Sequence, residues 1–304
     1  MSAYVDPDGP PLAGVLERRV AAVVEHLPPW AKRPVEWFLS RWIGRTLLRV
    51  AGACMRVEIF DRSMTIAAQF FTSILPLLIV AVTFVGAGSD QLADVVGATG
   101  DSAELIDEAV RGSSSTGFGA VGVLLVLVSA TSLSRALTRA FAVVWLVDRP
   151  RMSVRSSWRW FAVVVVLVLA VVVMQGLTQR TGVLPPRFLW PAALSLATDV
   201  AVATFVPWVL LAGRIAGRWL VPGAVAFALL MMVIRPAADV WLPWALDASA
   251  ARYGPIGMAF TYLAWLYTVA FVFIGTAVIG QVVVSDRGRA GAWLRGRRGL
   301  TPQA

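Results

Sequence analysis

The chain has 304 residues, of which 58% are apolar and only 15% charged, and its net charge is +9. A soluble domain carries about 25% charged residues, so this composition excludes an ordinary soluble globule. A single cysteine, Cys54, and a single histidine, His26, exclude an internal disulfide and leave too few ligands for a usual zinc site. We therefore expect no metal site. The sequence also has no GxSxG, no P-loop and no HExxH motif, so we expect no cofactor and no enzymatic activity.

Residues 35–60 predict an amphipathic helix. Arg41, Arg45, Arg49 and Arg56 recur on one face at helical spacing, and apolar residues follow one another at spacings of three and four on another. Such a helix can lie in the membrane interface with its arginines at lipid head groups. It can equally pack against a helix bundle as a structural elbow, and the sequence leaves both interpretations open.

Six apolar segments follow, and a membrane-spanning helix needs about 20 mostly apolar residues. The segments are residues 64–86, 118–147, 158–177, 190–212, a fifth that begins near 219, and 256–284. The fifth is the shortest, because its clean apolar run stops after about 16 residues at Arg235. The backbone must satisfy its own hydrogen bonds in lipid, so continuous runs of this kind predict helices. The predicted fold class is an all-α, polytopic membrane bundle of six transmembrane helices with an N-terminal amphipathic interfacial helix.

The distribution of basic residues predicts the orientation. If the N-terminus is cytoplasmic, 20 of the 27 Lys and Arg residues fall on the cytoplasmic side and five in the outer loops, and Arg135 and Arg139 lie inside the second segment. This asymmetry follows the positive-inside rule. It predicts a cytoplasmic region at 1–63, a transmembrane domain at 64–284 and a basic cytoplasmic tail at 285–304. The charge is thereby assigned to anionic lipid head groups, and no nucleic-acid partner is expected.

The second segment carries the most informative polar residues. Thr131, Ser132, Arg135 and Arg139 fall within one helical stripe, and polar residues inside a span favour a functional hypothesis. Two guanidinium groups one turn apart could hold a phosphate or a carboxylate through paired hydrogen bonds. The alternative is that they extend toward inner-leaflet phosphates or pair with a carboxylate.

The first and fourth segments each carry a proline that bears on function. The first carries Gln69, Thr72 and Pro76, and the fourth carries Pro207. Each proline removes a backbone hydrogen bond, and we expect each to kink its helix. Gln69 and Thr72 are then candidate substrate-binding residues beside the kink, and two three-helix halves that each begin with such a helix have the pattern of an inverted repeat.

Asp199 is a carboxylate inside the fourth segment. It could pair with an arginine or carry a proton, and it is a further candidate for substrate binding. Arg235 and Asp239, which lie at helical spacing, are expected to form an ion pair at the outer interface.

Four stretches together resemble the YihY/BrkB family of bacterial inner-membrane proteins. They are AAQFFTSILPLLIV at 67–80, SATSLSRALTRAFAVVW at 129–145, RWLVPGAVAFALL at 218–230 and YGPIGMAFTYLAWLYTVAFVFIGTAVIGQ at 253–281. Shared features are a small-rich helix ending in S-x-x-P-L, a polar-then-basic helix with a later tryptophan, a P-G-A helix start and a late glycine. Gln69 departs from this pattern, where family members tend to carry a small or aromatic residue. The resemblance spans about residues 55–285.

The resemblance implies a six-helix inner-membrane protein connected with envelope integrity, and some members have been proposed to transport lipids or solutes. A ribonuclease label once attached to the family conflicts with the lack of metal ligands here. We therefore expect a protein that binds or moves a lipid or another anionic amphiphile, with membrane lipids as partners. A scaffold that recruits partners through its basic elbow and tail, and a small-solute exporter, are the alternatives. An oligomer is possible.

Overall fold

The computed structural model describes residues 42–80, 118–148 and 189–286, and these ranges are helical with short connecting turns. The predicted third segment at 158–177, Arg41, most of the predicted cytoplasmic N-terminal region and the basic tail lie outside the described residues. The described part therefore bears on the all-α class and on five of the six apolar segments.

Five helices make up the described part. They are α1 at Trp42–Val57, α2 at Ile59–Val80, α3 at Phe118–Val144, α4 at Leu189–Leu210 and α5 at Gly217–Ser285. The first predicted apolar segment lies on α2, the second on α3, the fourth on α4, and the fifth and sixth on α5. Helix α2 begins before the predicted residue 64, because polar residues such as Asp61 and Arg62 continue the helix below the apolar run.

Helix α5 is a hairpin of two helical legs. Its 69 residues have helical backbone angles except at Gly254, where φ is 62° and ψ is −147°. This left-handed φ costs a glycine little, and it separates a first leg at 217–253 from a second leg at 255–285. Ser249 and Thr261 share a hydrogen bond of 2.7 Å across the tip, and Gly223 lies against Gly280 at the other end. The two legs are therefore antiparallel.

The first leg extends well beyond the fifth predicted segment. The apolar run of that segment stops at Arg235, yet the helix continues through Pro236 and Pro243 to residue 253. At about 1.5 Å per residue each leg exceeds the ~30 Å hydrocarbon core. Arg235 ends the apolar run but not the helix, because its charge is paired within the protein, as described below.

The two legs approach most closely where glycines face each other. A Cβ atom built on Gly280 would lie 2.6 Å from the Gly223 nitrogen, and one built on Gly223 would lie 2.9 Å from the Thr276 carbonyl oxygen. No side chain fits between backbones at this distance, and small residues at such crossings are the usual basis of helix association in lipid.

The densest packing lies at one end of the bundle. The fully buried side chains Val57, Ile66, Phe141, Leu211 and Ile274 come from all five helices or the turns beside them. They join one apolar cluster in which the end of α1, the start of α2, the ends of α3 and α4, and both ends of the α5 hairpin meet. The connections from α1 to α2 and from α4 to α5 both lie at this end, beside the core cluster.

Arginines bind the helix ends to one another at this same end. Arg49 pairs with Asp286 at 2.9 Å and so joins α1 to the end of α5. Arg214 donates to the Asp148 carbonyl oxygen at 2.7 Å, and Arg62 donates to the Val57 carbonyl oxygen. The two carbonyls lie just past α3 and at the end of α1, where backbone acceptors lack helical donors.

Helix α1 packs against the bundle and also exposes apolar residues. Ala53 and Val57 are buried in the core cluster, as expected for an elbow. Leu47 and Met55 are 53% and 59% exposed on the other side. The packing of α1 is that of an elbow, and its placement in the membrane interface stays a prediction.

Two of the described helices, by length and composition, could cross a membrane. They are Trp190–Leu210 and Gly217–Ser285. Because the second is a hairpin with two long legs, it offers two crossings.

The glycine crossing gives a prediction for stability. Gly280→Ala places a methyl group inside the Gly223 backbone, so we expect the free energy of unfolding in mild detergent to fall by about 2 kcal/mol. The matched control is Gly275→Ala on the same leg, where the new Cβ would meet only Ile59 Cδ1 at 3.5 Å. Helix propensity favours alanine by up to ~1 kcal/mol at both positions, so the control should be unchanged or more stable. Equal stability of the two variants would contradict the crossing.

Candidate functional site

Arg135 and Arg139 lie on the outward face of α3. Both are exposed, whereas Leu137 and Phe141 on the other side of the helix are buried. Exposed apolar residues stand at both ends of the same stripe, with Val128 at 61% and Leu146 at 44% exposure. The arginine stripe, defined as Ser132, Arg135 and Arg139, therefore faces away from the helices that the structure describes.

The hydroxyl groups near this stripe are largely satisfied within their own helices. Thr138 donates to the Ser134 carbonyl oxygen at 2.7 Å, and Thr72 donates to the Gln69 carbonyl oxygen at 3.1 Å. This local bonding is how Ser and Thr remain in helices without a partner elsewhere. Thr131 and Ser132 are half-buried on α3. Gln69 and Thr72 lie on α2, which packs along α3.

Asp199 belongs to a separate cluster. Its Oδ1 lies 2.9 Å from Arg235 Nη2, and the other terminal nitrogen of Arg235 donates to Ser195 Oγ. Ser195 and Asp199 are one turn apart on α4, so the guanidinium spans both and clamps α4 to the first leg of α5. The spacing predicted that Arg235 pairs with Asp239 on its own helix. Its partner is instead Asp199 on α4, and spacing along one helix cannot indicate a partner on another.

The four predicted interface arginines have different environments. Arg41 lies outside the described residues, as does the side chain of Arg45. Arg49 forms the ion pair with Asp286. Arg56 is half-buried, and its Nε and Nη2 have no hydrogen-bond partner. Burial lowers the pKa of the Arg56 guanidinium and raises the pKa of the neighbouring Cys54 thiol, because desolvation disfavours the charged form of each.

A narrow cleft lies between α3, α4 and both legs of α5. It has about 240 Å³ of empty volume, including its open mouth. Trp145, Pro207, Gly223, Phe273 and Thr276 are among the residues that line it. Pro207, which was predicted to kink its helix, is buried one turn before the end of α4 and forms part of this wall.

Several buried polar atoms that the sequence did not single out lack a hydrogen-bond partner. They are Ser63 Oγ, Trp145 Nε1, Thr204 Oγ1 and Trp219 Nε1, together with the two Arg56 nitrogens. Trp145 lines the cleft, and Thr204 and Trp219 each follow or precede a lining residue in sequence. The tryptophan after a basic helix was visible as part of the family pattern, but nothing in the sequence marks its N–H as unpaired.

A family model, virulence factor BrkB, matches residues 50–294. The chain belongs to the BrkB family. Membership and the apolar helices together indicate an integral membrane protein. No curated protein and no solved structure matches the chain significantly.

The structure explains three features of the BrkB resemblance. Pro222, Gly223 and Ala224, the P-G-A helix start, lie where the legs of α5 cross, and the late glycine, Gly280, lies opposite them. The later tryptophan is Trp145, which closes the cleft beside that crossing. Gly223 and Ala224 line the same cleft as Trp145, so parts of two of the resembling stretches meet in space.

The Asp199–Arg235 pair gives a second prediction. Asp199→Ala leaves Arg235 without its carboxylate, and an unpaired charge is costly in a helix that spans lipid, whereas removing both groups leaves no such charge. We expect Asp199→Ala to be less stable than the double variant Asp199→Ala/Arg235→Ala, as measured by unfolding in increasing denaturing detergent. Asp239→Ala, on the same leg as Arg235, is the control and should be near wild type. Strictly additive effects of the two single substitutions would argue against the clamp.

Proposed function

We propose that this BrkB-family protein is a non-enzymatic protein of the bacterial inner membrane that binds, and helps to move, an anionic lipid or a similar amphiphile in support of envelope integrity. The observation that carries the proposal is the exposed pair Arg135 and Arg139 on an otherwise apolar face of α3. The stripe faces outward, so its ligand would come laterally from the lipid phase.

Electrostatics supports an anionic ligand at this place. A charged side chain near the bilayer centre costs about 2.5–3.5 kcal/mol on insertion scales, and it is tolerated where it reaches phosphate or water. The planar guanidinium donates paired hydrogen bonds to phosphate oxygens. Among the described residues, Arg49 and Arg235 each pair with a carboxylate, whereas Arg135 and Arg139 form no such ion pair.

The position of the stripe along α3 also suits contact with lipid phosphates. Arg139 and Arg135 lie about 8 and about 14 Å from the end of α3 at 1.5 Å per residue. We propose that this end faces the cytoplasm, because the basic residues concentrate on that side of the chain. Both side chains could then extend to phosphates of the inner leaflet, and the N- and C-termini would both be cytoplasmic.

The arginine stripe gives a prediction for lipid binding. Arg135→Ala/Arg139→Ala should reduce the phosphatidylglycerol that stays bound to the full chain in detergent about five- to tenfold, because two charge-assisted contacts are lost. Native mass spectrometry measures the retained lipid. The control is Arg218→Ala/Arg252→Ala, which removes the same charge from two exposed arginines elsewhere. Unchanged phosphatidylglycerol retention in the Arg135/Arg139 variant would remove the site assignment.

The orientation gives a separate prediction. In a Cys54→Ser background, a cysteine replacing Asp148 should react with an impermeant maleimide only from the cytoplasmic side. A cysteine replacing Tyr253, which is 72% exposed beside the hairpin tip, should react only from the opposite side. The two positions lie at opposite ends of the bundle, so labelling of both from the same side would contradict the proposed topology.

A further inference from the structure

The arginine stripe places two cations at different depths of the membrane. Arg135 and Arg139 lie four residues apart on one exposed face of α3, which is about 6 Å along the helix axis at ~1.5 Å per residue. In the proposed topology α3 crosses the bilayer, so this spacing runs along the membrane normal, with Arg139 nearer the cytoplasm and Arg135 deeper. A ligand that meets both guanidinium groups must therefore offer anionic oxygens at two depths.

Each of these two cations needs a negative charge of its own. Neither forms an ion pair with a carboxylate of the described residues, and the hydroxyl of Thr138 beside them donates to the Ser134 carbonyl oxygen at 2.7 Å. Like charges one helical turn apart repel, and a cation that faces hydrocarbon is costly. A single phosphodiester group carries one negative charge and leaves half of this positive charge unbalanced. The stripe is therefore best neutralised by a ligand with two or more negative charges.

The direction of α3 favours a phosphate that lies close to the hydrocarbon. The Cα–Cβ bonds of an α-helix tilt toward its N-terminus, and in the proposed topology the N-terminal end of α3 lies away from the cytoplasm. The Arg135 side chain therefore starts toward the bilayer interior, about 14 Å from the end of the helix. A phosphate attached directly to a hydrocarbon anchor would lie at the level of Arg135, and a second phosphate beyond it would lie nearer the water, beside Arg139.

Lipids with two phosphates differ in how these groups are arranged. In cardiolipin a glycerol bridge joins the phosphates of two diacylglycerol units, so the phosphates lie side by side at one depth. Two phosphates joined to each other on one anchor follow one another along the membrane normal. Only the second arrangement matches a stripe that runs along the helix axis, and a single phosphate meets the stripe at one level.

We propose that the arginine stripe binds a lipid diphosphate, that is, a hydrocarbon anchor that carries two phosphates in series. Arg135 binds the phosphate attached to the anchor, and Arg139 binds the terminal phosphate, each through charge-assisted hydrogen bonds. Ser132, which lies one turn deeper and is half-buried, has a hydroxyl that can donate to the inner phosphate. The inference rests on the proposed function and narrows the class of its ligand.

Three oleoyl lipids with different phosphate arrangements test the proposal. The full chain in detergent is offered diacylglycerol diphosphate in equal amount with phosphatidic acid, which has the same anchor and one phosphate, and separately with cardiolipin, whose two phosphates lie side by side. Native mass spectrometry measures the bound ratio. We expect the wild type to retain about tenfold more diphosphate than either comparison lipid, as one additional charge-assisted contact provides. A ratio of one in either competition, or a preference for cardiolipin, overturns the proposal.

Variants of the deeper arginine show whether the stripe causes the preference. Arg135→Ala should lower both ratios to about one, because the inner phosphate loses its cation. Arg135→Lys keeps a charge at this depth, and its ratios should stay above those of Arg135→Ala. The control is Arg218→Ala, an exposed arginine at the start of α5, which should keep the wild-type ratios. Because Arg135 is exposed, the Tm of each variant without added lipid should match the wild type. An undiminished preference in Arg135→Ala would place the diphosphate site elsewhere and overturn the assignment.

The source of the diphosphate and the proposed function are tested separately. Inorganic diphosphate at the same concentration should not displace the lipid, because it lacks the anchor; displacement would mean a water-soluble ligand and overturns the proposal. If the wild type prefers anionic over zwitterionic lipid but holds the diphosphate no better than phosphatidic acid or cardiolipin, the present inference alone fails. If the wild type shows no preference for anionic lipid at all, the proposed function fails with it.

Discussion

The contact on which the described fold depends is the backbone approach between the two legs of the α5 hairpin. Gly223 and Gly280 leave no room for a side chain between them, and lipid supplies little hydrophobic force to bring helices together. Close van der Waals packing of small residues must provide the attraction. Helix α4 then lies along the hairpin, and α1, α2 and α3 complete the buried cluster at the end where the chain turns.

The arginines in the described part of the chain divide into those that join helix ends or helices to one another and those that lie on exposed faces. Arg49, Arg62, Arg214 and Arg235 each bind a carboxylate or a carbonyl of another segment or of a helix end. A net positive charge is therefore not by itself evidence of an anion site, since much of it stabilises turns. The arginine stripe on α3 differs, because its guanidinium groups lie on an exposed face with apolar neighbours at both ends.

The sequence predicted the helical class and the approximate place of five segments, because hydropathy and length report burial in lipid directly. The helix at the fifth segment is longer than its apolar run indicated, since Arg235 interrupts that run and its partner Asp199 lies on another helix. Pairing across helices depends on their packing, which a single sequence does not encode locally. For the same reason Arg135 and Arg139 could be placed on one stripe from spacing, but the direction of that stripe came from the structure. The unpaired Trp145 N–H could not be predicted from the sequence, because it depends on whether the neighbouring helices place a hydrogen-bond acceptor beside it.

The glycine crossing and the cleft share residues, so the packing of the hairpin legs also sets the shape of the cleft. Gly223, Thr276 and Ala277 form both the contact between the legs and part of the cleft wall. A substitution that separates the legs would therefore also widen the cleft. Phe141 faces this interior from α3, whereas the arginine stripe lies on the opposite, exposed face of the same helix. Lipid binding at the stripe and packing at the crossing should therefore vary independently, as residues without shared partners usually do, and a measured coupling between them would mean that α3 rotates or shifts when a lipid binds.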